Sequence, residues 1–168
     1  ADLDGDGDVD LLRADTWFEN ADGRGLRWVL HPNLPVGRKG PYGVCVRTAV
    51  ADLDGDGRNE VVVADADIVD SRVAILVNLD GRGGSWKRTE LPRSFTYGSL
   101  HSLAVADLNG DGRPDIIVNE QEELLPEGRR NPRWVVWENL DGAAFAERIV
   151  LDTALGGHEL QAGDVDGD

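Results

Sequence analysis

The chain has 168 residues, room for one domain with its own core, and 40% of them are hydrophobic. Its 32 acidic against 17 basic side chains leave a formal charge of -15, which excludes a nucleic-acid backbone as an expected partner. Cys45 stands alone, ruling out an internal disulfide or a Cys-based zinc site, and no apolar run approaches the ~18 residues of a membrane-spanning helix.

The 21 glycines point to a turn-rich fold and not to a helical one. Cys45 is expected to be a small buried residue. With no Met at position 1 and no signal-like segment, the chain reads as an excerpt of a longer protein.

An internal repeat organises the elements. Asp2-Leu-Asp-Gly-Asp-Gly-Asp-Val-Asp10 recurs as Asp52-Leu-Asp-Gly-Asp-Gly-Arg-Asn-Glu60 and Asp107-Leu-Asn-Gly-Asp-Gly-Arg-Pro-Asp115, and Asp164-Val-Asp-Gly-Asp168 opens a fourth copy. A second landmark keeps phase with the first. Asn20, Asn78 and Asn139 each run into an Asp-Gly turn at Asp22, Asp80 and Asp141, followed by Trp28, Trp86 or Phe145.

In chain order, residues 10–31 are expected to supply three strands. Residues 44–50, 60–64, 72–78 and 85–91 form a set of four, and residues 101–106, 115–118, 133–139 and 144–151 repeat it. A last first-type strand is expected over 158–163. The acidic loop joins the first two strands of each set, and the Asp-Gly turn joins the last two.

Four strands per ~50 residues predict an all-β fold of β-propeller blades, each of four antiparallel strands, about three blades' worth. The predicted divisions are a partial blade over 1–43, blades over 44–100 and 101–157, and the start of another over 158–168. Propellers close with roughly four to eight blades, so the chain is expected to be an open segment of a larger ring, or to associate through open blade edges.

The acidic loops carry the chemistry. Asp at positions one, three and five brings three carboxylates toward one point, and Gly at four and six permits the turn. Position seven, Asp8, Arg58 or Arg113, can add a backbone carbonyl, and position nine adds Asp10, Glu60 or Asp115. Such an all-oxygen set suits calcium better than magnesium or zinc. The alternative is a set of Asx turns without metal, opposed by the repulsion within each cluster. The loop is not an EF-hand, because Arg13, Val63 and Val118 stand where its twelfth-position Glu would be.

The pattern D-x-[DN]-G-D-G-x-x-[DE] before a short β run, repeated every ~50 residues, resembles the FG-GAP or VCBS repeats of integrin-type propellers. The resemblance implies one Ca2+ per loop. It assigns the sites to Asp2, Asp4, Asp6 and Asp10; to Asp52, Asp54, Asp56 and Glu60; and to Asp107, Asn109, Asp111 and Asp115. Asp164, Asp166 and Asp168 begin a fourth. It also implies an extracellular, secreted or cell-surface location, and a scaffold or binding platform for a protein or carbohydrate ligand. The alternatives are the propeller portion of a carbohydrate-active enzyme such as a polysaccharide lyase, and a self-associating structural module.

No nucleophile elbow, zinc motif or phosphate loop is present, and no catalytic residue is assigned. His101 and His158 occupy the same repeat position, six residues before the first loop aspartate, on the face opposite the acidic loops. Together with Glu120 and Glu122 of the loop after 118, they are the candidate ligand-binding residues. Trp17, Trp28, Trp86, Trp134 and Trp137 are expected to pack between blades.

Overall fold

The computed structural model describes residues 1–165, so Asp166 and Asp168 lie outside the described residues. Three antiparallel sheets and a small ribbon follow one another along the chain, with no helix among the described residues. Sheet I holds β1 (Leu11–Arg13), β2 (Thr16–Asn20) and β3 (Trp28–His31). The ribbon pairs β4 (Lys39–Gly40) with β5 (Gly43–Val44). Sheet II holds β6 (Val46–Ala51), β7 (Glu60–Asp65), β8 (Val73–Asn78) and β9 (Trp86–Glu90). Sheet III holds β10 (Leu100–Ala106), β11 (Asp115–Glu120), β12 (Arg133–Asn139) and β13 (Phe145–Asp152). Strand order within each sheet is sequential, as successive hairpins require.

Sheet II is covered on both faces, which explains its uninterrupted apolar strands. Val61 and Val63 of β7, with Ala74 and Leu76 of β8, pack toward Leu3 and Trp17 on the sheet I side. Their neighbours Val62, Ala64, Val73 and Ile75 pack toward Ile116, Val118, Val135 and Trp137 of sheet III. The period-two alternation of a strand therefore divides one run between two cores. Sheets II and III meet where β10 runs beside β6 and β7.

Three expectations differ from the structure. Residues 158–163 form no strand, because no second strand follows among the described residues to pair with them. The ribbon β4–β5 arises where no element was expected: Pro41 and Tyr42 make its two-residue turn, and Gly43 takes φ 97°, a value that disfavours any side chain. Cys45 is only half-buried, lying just before β6 with its Sγ 3.9 Å from the Tyr42 carbonyl.

Trp17, Trp86 and Trp137 pack in the two cores while Trp28 and Trp134 lie outside them, and all five indole N–H groups donate to backbone carbonyls. Trp17 and Trp137 are the deepest. Trp17 Nε1 reaches across the sheet I–II seam to the Gly83 carbonyl at 3.2 Å, and Trp137 Nε1 reaches Pro92 at 2.8 Å.

Candidate metal centres

Loops two and three close the β6–β7 and β10–β11 hairpins, loop one leads into β1, and all three share one hydrogen-bond scheme. The position-one carboxylate accepts the amide N–H groups of both loop glycines. Asp2 accepts from Gly5 at 2.7 Å and Gly7 at 3.0 Å, Asp52 from Gly55 and Gly57, and Asp107 from Gly110 and Gly112. Those six glycines all have φ between 75° and 92°, the conformation that turns their N–H groups inward. These amide bonds, led by that of Gly112, hold the Asp107 carboxyl below its usual range. Asp4, Asp54 and Asn109 at position three each accept the N–H two residues on.

The loops diverge at positions five, seven and nine. In loop two, Arg58 binds Asp56 through Nε at 2.9 Å and through Nη2, which pulls the Asp56 carboxyl below its usual range. Arg113 binds Asp111 in loop three, while loop one has Asp8 at that position and leaves Asp6 without such a partner. At position nine, Asp10 uses both oxygens on backbone, accepting from Leu3 at 2.8 Å and Asn20 at 2.9 Å. Asp115 does the same with Leu108 and Asn139. Glu60 accepts from Leu53 at 3.0 Å through Oε2, and its extra methylene carries it into the loop.

Two carboxylate clusters result among the described residues. Oxygens of Asp2, Asp4 and Asp6 lie within 4.8 Å of one another, as do those of Asp52, Asp54 and Glu60. Oxygens bound to one calcium at 2.3–2.6 Å can be at most ~5 Å apart, so both clusters fit such an ion. Their electrostatics fit it too. Burial, reinforced by Asp54, Asp56 and Asp52, pushes the Glu60 carboxyl up to about 7, and burial with Asp6 and Asp10 nearby raises Asp4. Loop three offers Asp107 and Asp111 with the Asn109 amide, and Asp164 lies beside it across a shallow cleft. Asp10 and Asp115 stand as backbone ties beside these groups.

The asparagines ending the third strands are the functional positions that sequence reasoning noticed as landmarks without assigning a role. Asn78 Nδ2 donates to the Leu3 carbonyl at 2.8 Å, and Asn139 Nδ2 to the Leu53 carbonyl at 2.8 Å. Loops one and two are thus each clamped by the sheet that follows. Asn59 adds a bond to the Asp2 carbonyl. Their recurrence in register with the acidic loops was the available signal.

On the opposite rim, His101 and His158, which share a repeat position, come together with Nδ1 atoms 3.1 Å apart. Asp67 Oδ1 lies 3.3 Å from His101 Nε2, and Arg47 binds the His101 carbonyl at 2.7 Å. Burial and the Arg47 cation hold the His101 imidazole below its usual value. Glu122 is exposed and accepts the Gly156 N–H. Glu120 does not join this rim: it is fully buried, paired with Arg129, and accepts from Gly98 and Arg133 backbone N–H groups. Asp65 plays the same part in sheet II, accepting from Arg72.

Residues 52–118 match the family model described as FG-GAP-like repeat. The matched span begins at the first aspartate of loop two and ends in β11, just past loop three. Comparisons with curated proteins and with solved structures find no match.

Proposed function

With an FG-GAP-like repeat over residues 52–118 as the premise, we propose that this chain is a calcium-binding propeller module serving as a rigid scaffold in a secreted or surface protein. The observation that carries the reading is the pair of convergent clusters, Asp2/Asp4/Asp6 and Asp52/Asp54/Glu60. Calcium would be held in loop two by Asp52, Asp54 and Glu60, with Asp56 alongside, and in loop three by Asp107, Asn109 and Asp111. The ion neutralises carboxylates that otherwise repel one another, and so locks hairpins that neighbouring sheets clamp from outside. Extracellular modules bind calcium at ~10⁻⁴–10⁻³ M, concentrations met outside cells, which favours an extracellular setting.

Isothermal calorimetry tests the ligand set. The native chain should take up calcium with a whole-number stoichiometry, and Asp54→Ala should lower it by one. A stoichiometry unchanged by that substitution removes Asp54 from the site.

The second reading concerns the other rim, where His101 meets His158 and Asp67, and exposed Glu123 lies 3.9 Å from His158. This is the surface we assign to a protein or carbohydrate ligand, either in binding or in carbohydrate chemistry. Assays of polysaccharide binding and of new reducing ends or unsaturated products should separate the two outcomes. Binding lost in the His101→Ala/His158→Ala variant supports a platform; turnover lost in it indicates an enzyme.

A further inference from the structure

The seam between sheets II and III contains a cleft of about 450 Å³, bounded by Ile75, Val77, Leu91 and Phe145, with Asp54 and Glu60 at one end. In the seam between sheets I and II the matching register position is filled by the Trp17 ring. The difference traces to one register position. Trp17 lies three residues before Asn20 and faces sheet II, where its indole ring lies against Gly83 so closely that a Cβ there would sit 2.5 Å from the ring. Ile75 lies three residues before Asn78 and faces sheet III. The smaller side chain leaves open the volume that an indole fills one sheet earlier. The turn on the far wall is also shorter, since five residues separate Asn139 from Phe145 where seven separate Asn78 from Trp86.

We propose that the II–III seam is a binding slot for a small planar aromatic ligand of indole size. Ile75, Val77, Leu91 and Phe145 give it an apolar surface beside Lys87, Thr89 and Glu90, its volume lies within the ~300–1,000 Å³ of ordinary ligand sites, and the repeat itself shows an indole seated at the equivalent register position. A flat ring enters a preformed slot between two packed sheets without moving either, so little ordering opposes binding. Asp54 and Glu60 at its end also belong to the proposed calcium site, so the slot is tested with calcium present.

The test is a titration of the methyl-labelled chain with indole, followed by NMR in calcium-containing buffer. Saturable shifts are expected at the methyls of Ile75, Val77 and Leu91, and none at Ile117 or Val136 on the outward face of sheet III. Ile75→Trp, which supplies the missing ring from within, should abolish the shifts. Equal shifts on both surfaces would reduce the slot to general stickiness, and no saturable shift, or full binding by Ile75→Trp, would overturn the proposal. If Ile75→Trp fails to fold, the methyl map of the native chain decides the question alone.

Discussion

Glu60 shows how one methylene changes a loop. Asp10 and Asp115 are too short to reach past the backbone amides they serve, whereas Glu60 satisfies Leu53 and still extends toward Asp52 and Asp54. Its carboxyl titrates at about 7, above the ordinary 4.5, so between those values the folded chain holds a proton that the unfolded chain has released. Stability from this group is therefore present at low pH and lost as pH rises toward about 7. In chelator, Glu60→Gln should melt a few degrees higher than the native chain at pH 8 and at nearly the same temperature at pH 4.5. With calcium at pH 8 the order should reverse, because the ion replaces the proton and the amide is a poorer ligand. Thermal melts at the two pH values, with and without calcium, check the sign.

At the scale of elements, the clamps between sheets matter as much as the strands. Asn139 is fully buried, accepts the Gly142 N–H at 2.6 Å, and donates to the carbonyls of Leu53 and Pro114. Asn139→Ala leaves the buried Leu53 carbonyl and the half-buried Pro114 carbonyl and Gly142 N–H without this partner, at a cost of ~1–3 kcal/mol for a fully buried unsatisfied group before relaxation. The expected loss is about 2–3 kcal/mol, or ~5–10 °C in Tm for a chain of this length. Leu140→Ala, next to it but half-exposed, should shift Tm little. Because the Leu53 carbonyl belongs to loop two, Asn139→Ala should also weaken calcium binding there while leaving loop one unchanged, which calorimetry would read as one weakened site.

For the whole molecule, the sheets form a stack with two outward faces. Leu3 and Leu53, at position two of loops one and two, are buried by the following sheet, while Leu108 at the same position of loop three is 45% exposed. Leu11 and Leu30 of sheet I and Val150 of sheet III are likewise exposed. Stability must then depend strongly on what holds the loops. An ion that binds only the folded chain adds RT ln(1 + [L]/Kd), ~2.7 kcal/mol per site at a hundredfold excess over Kd. Chelator should lower Tm by ~5–10 °C per occupied site. An unchanged melt would show that the aspartate–amide bonds hold the loops alone.

The sequence by itself determined the period, the all-β class, the acidic hairpins and the pairing order within each sheet. These depend on alternation and turn chemistry read over about ten residues at a time. The shared repeat position of His101 and His158 was legible, but not that their rings touch. What only the tertiary structure decided involves residues brought together across sheets. It showed that Asn78 and Asn139 clamp loops 75 and 86 residues away, that Glu120 is buried under Arg129 instead of facing the rim, and that residues 158–163 remain unpaired. It also separated Ile75 from Trp17, two apolar residues at one register position, by the space each leaves in its seam. Local pattern sets which face a side chain takes, but whether a carbonyl, a carboxylate or a cleft is satisfied depends on what the neighbouring sheet puts against it.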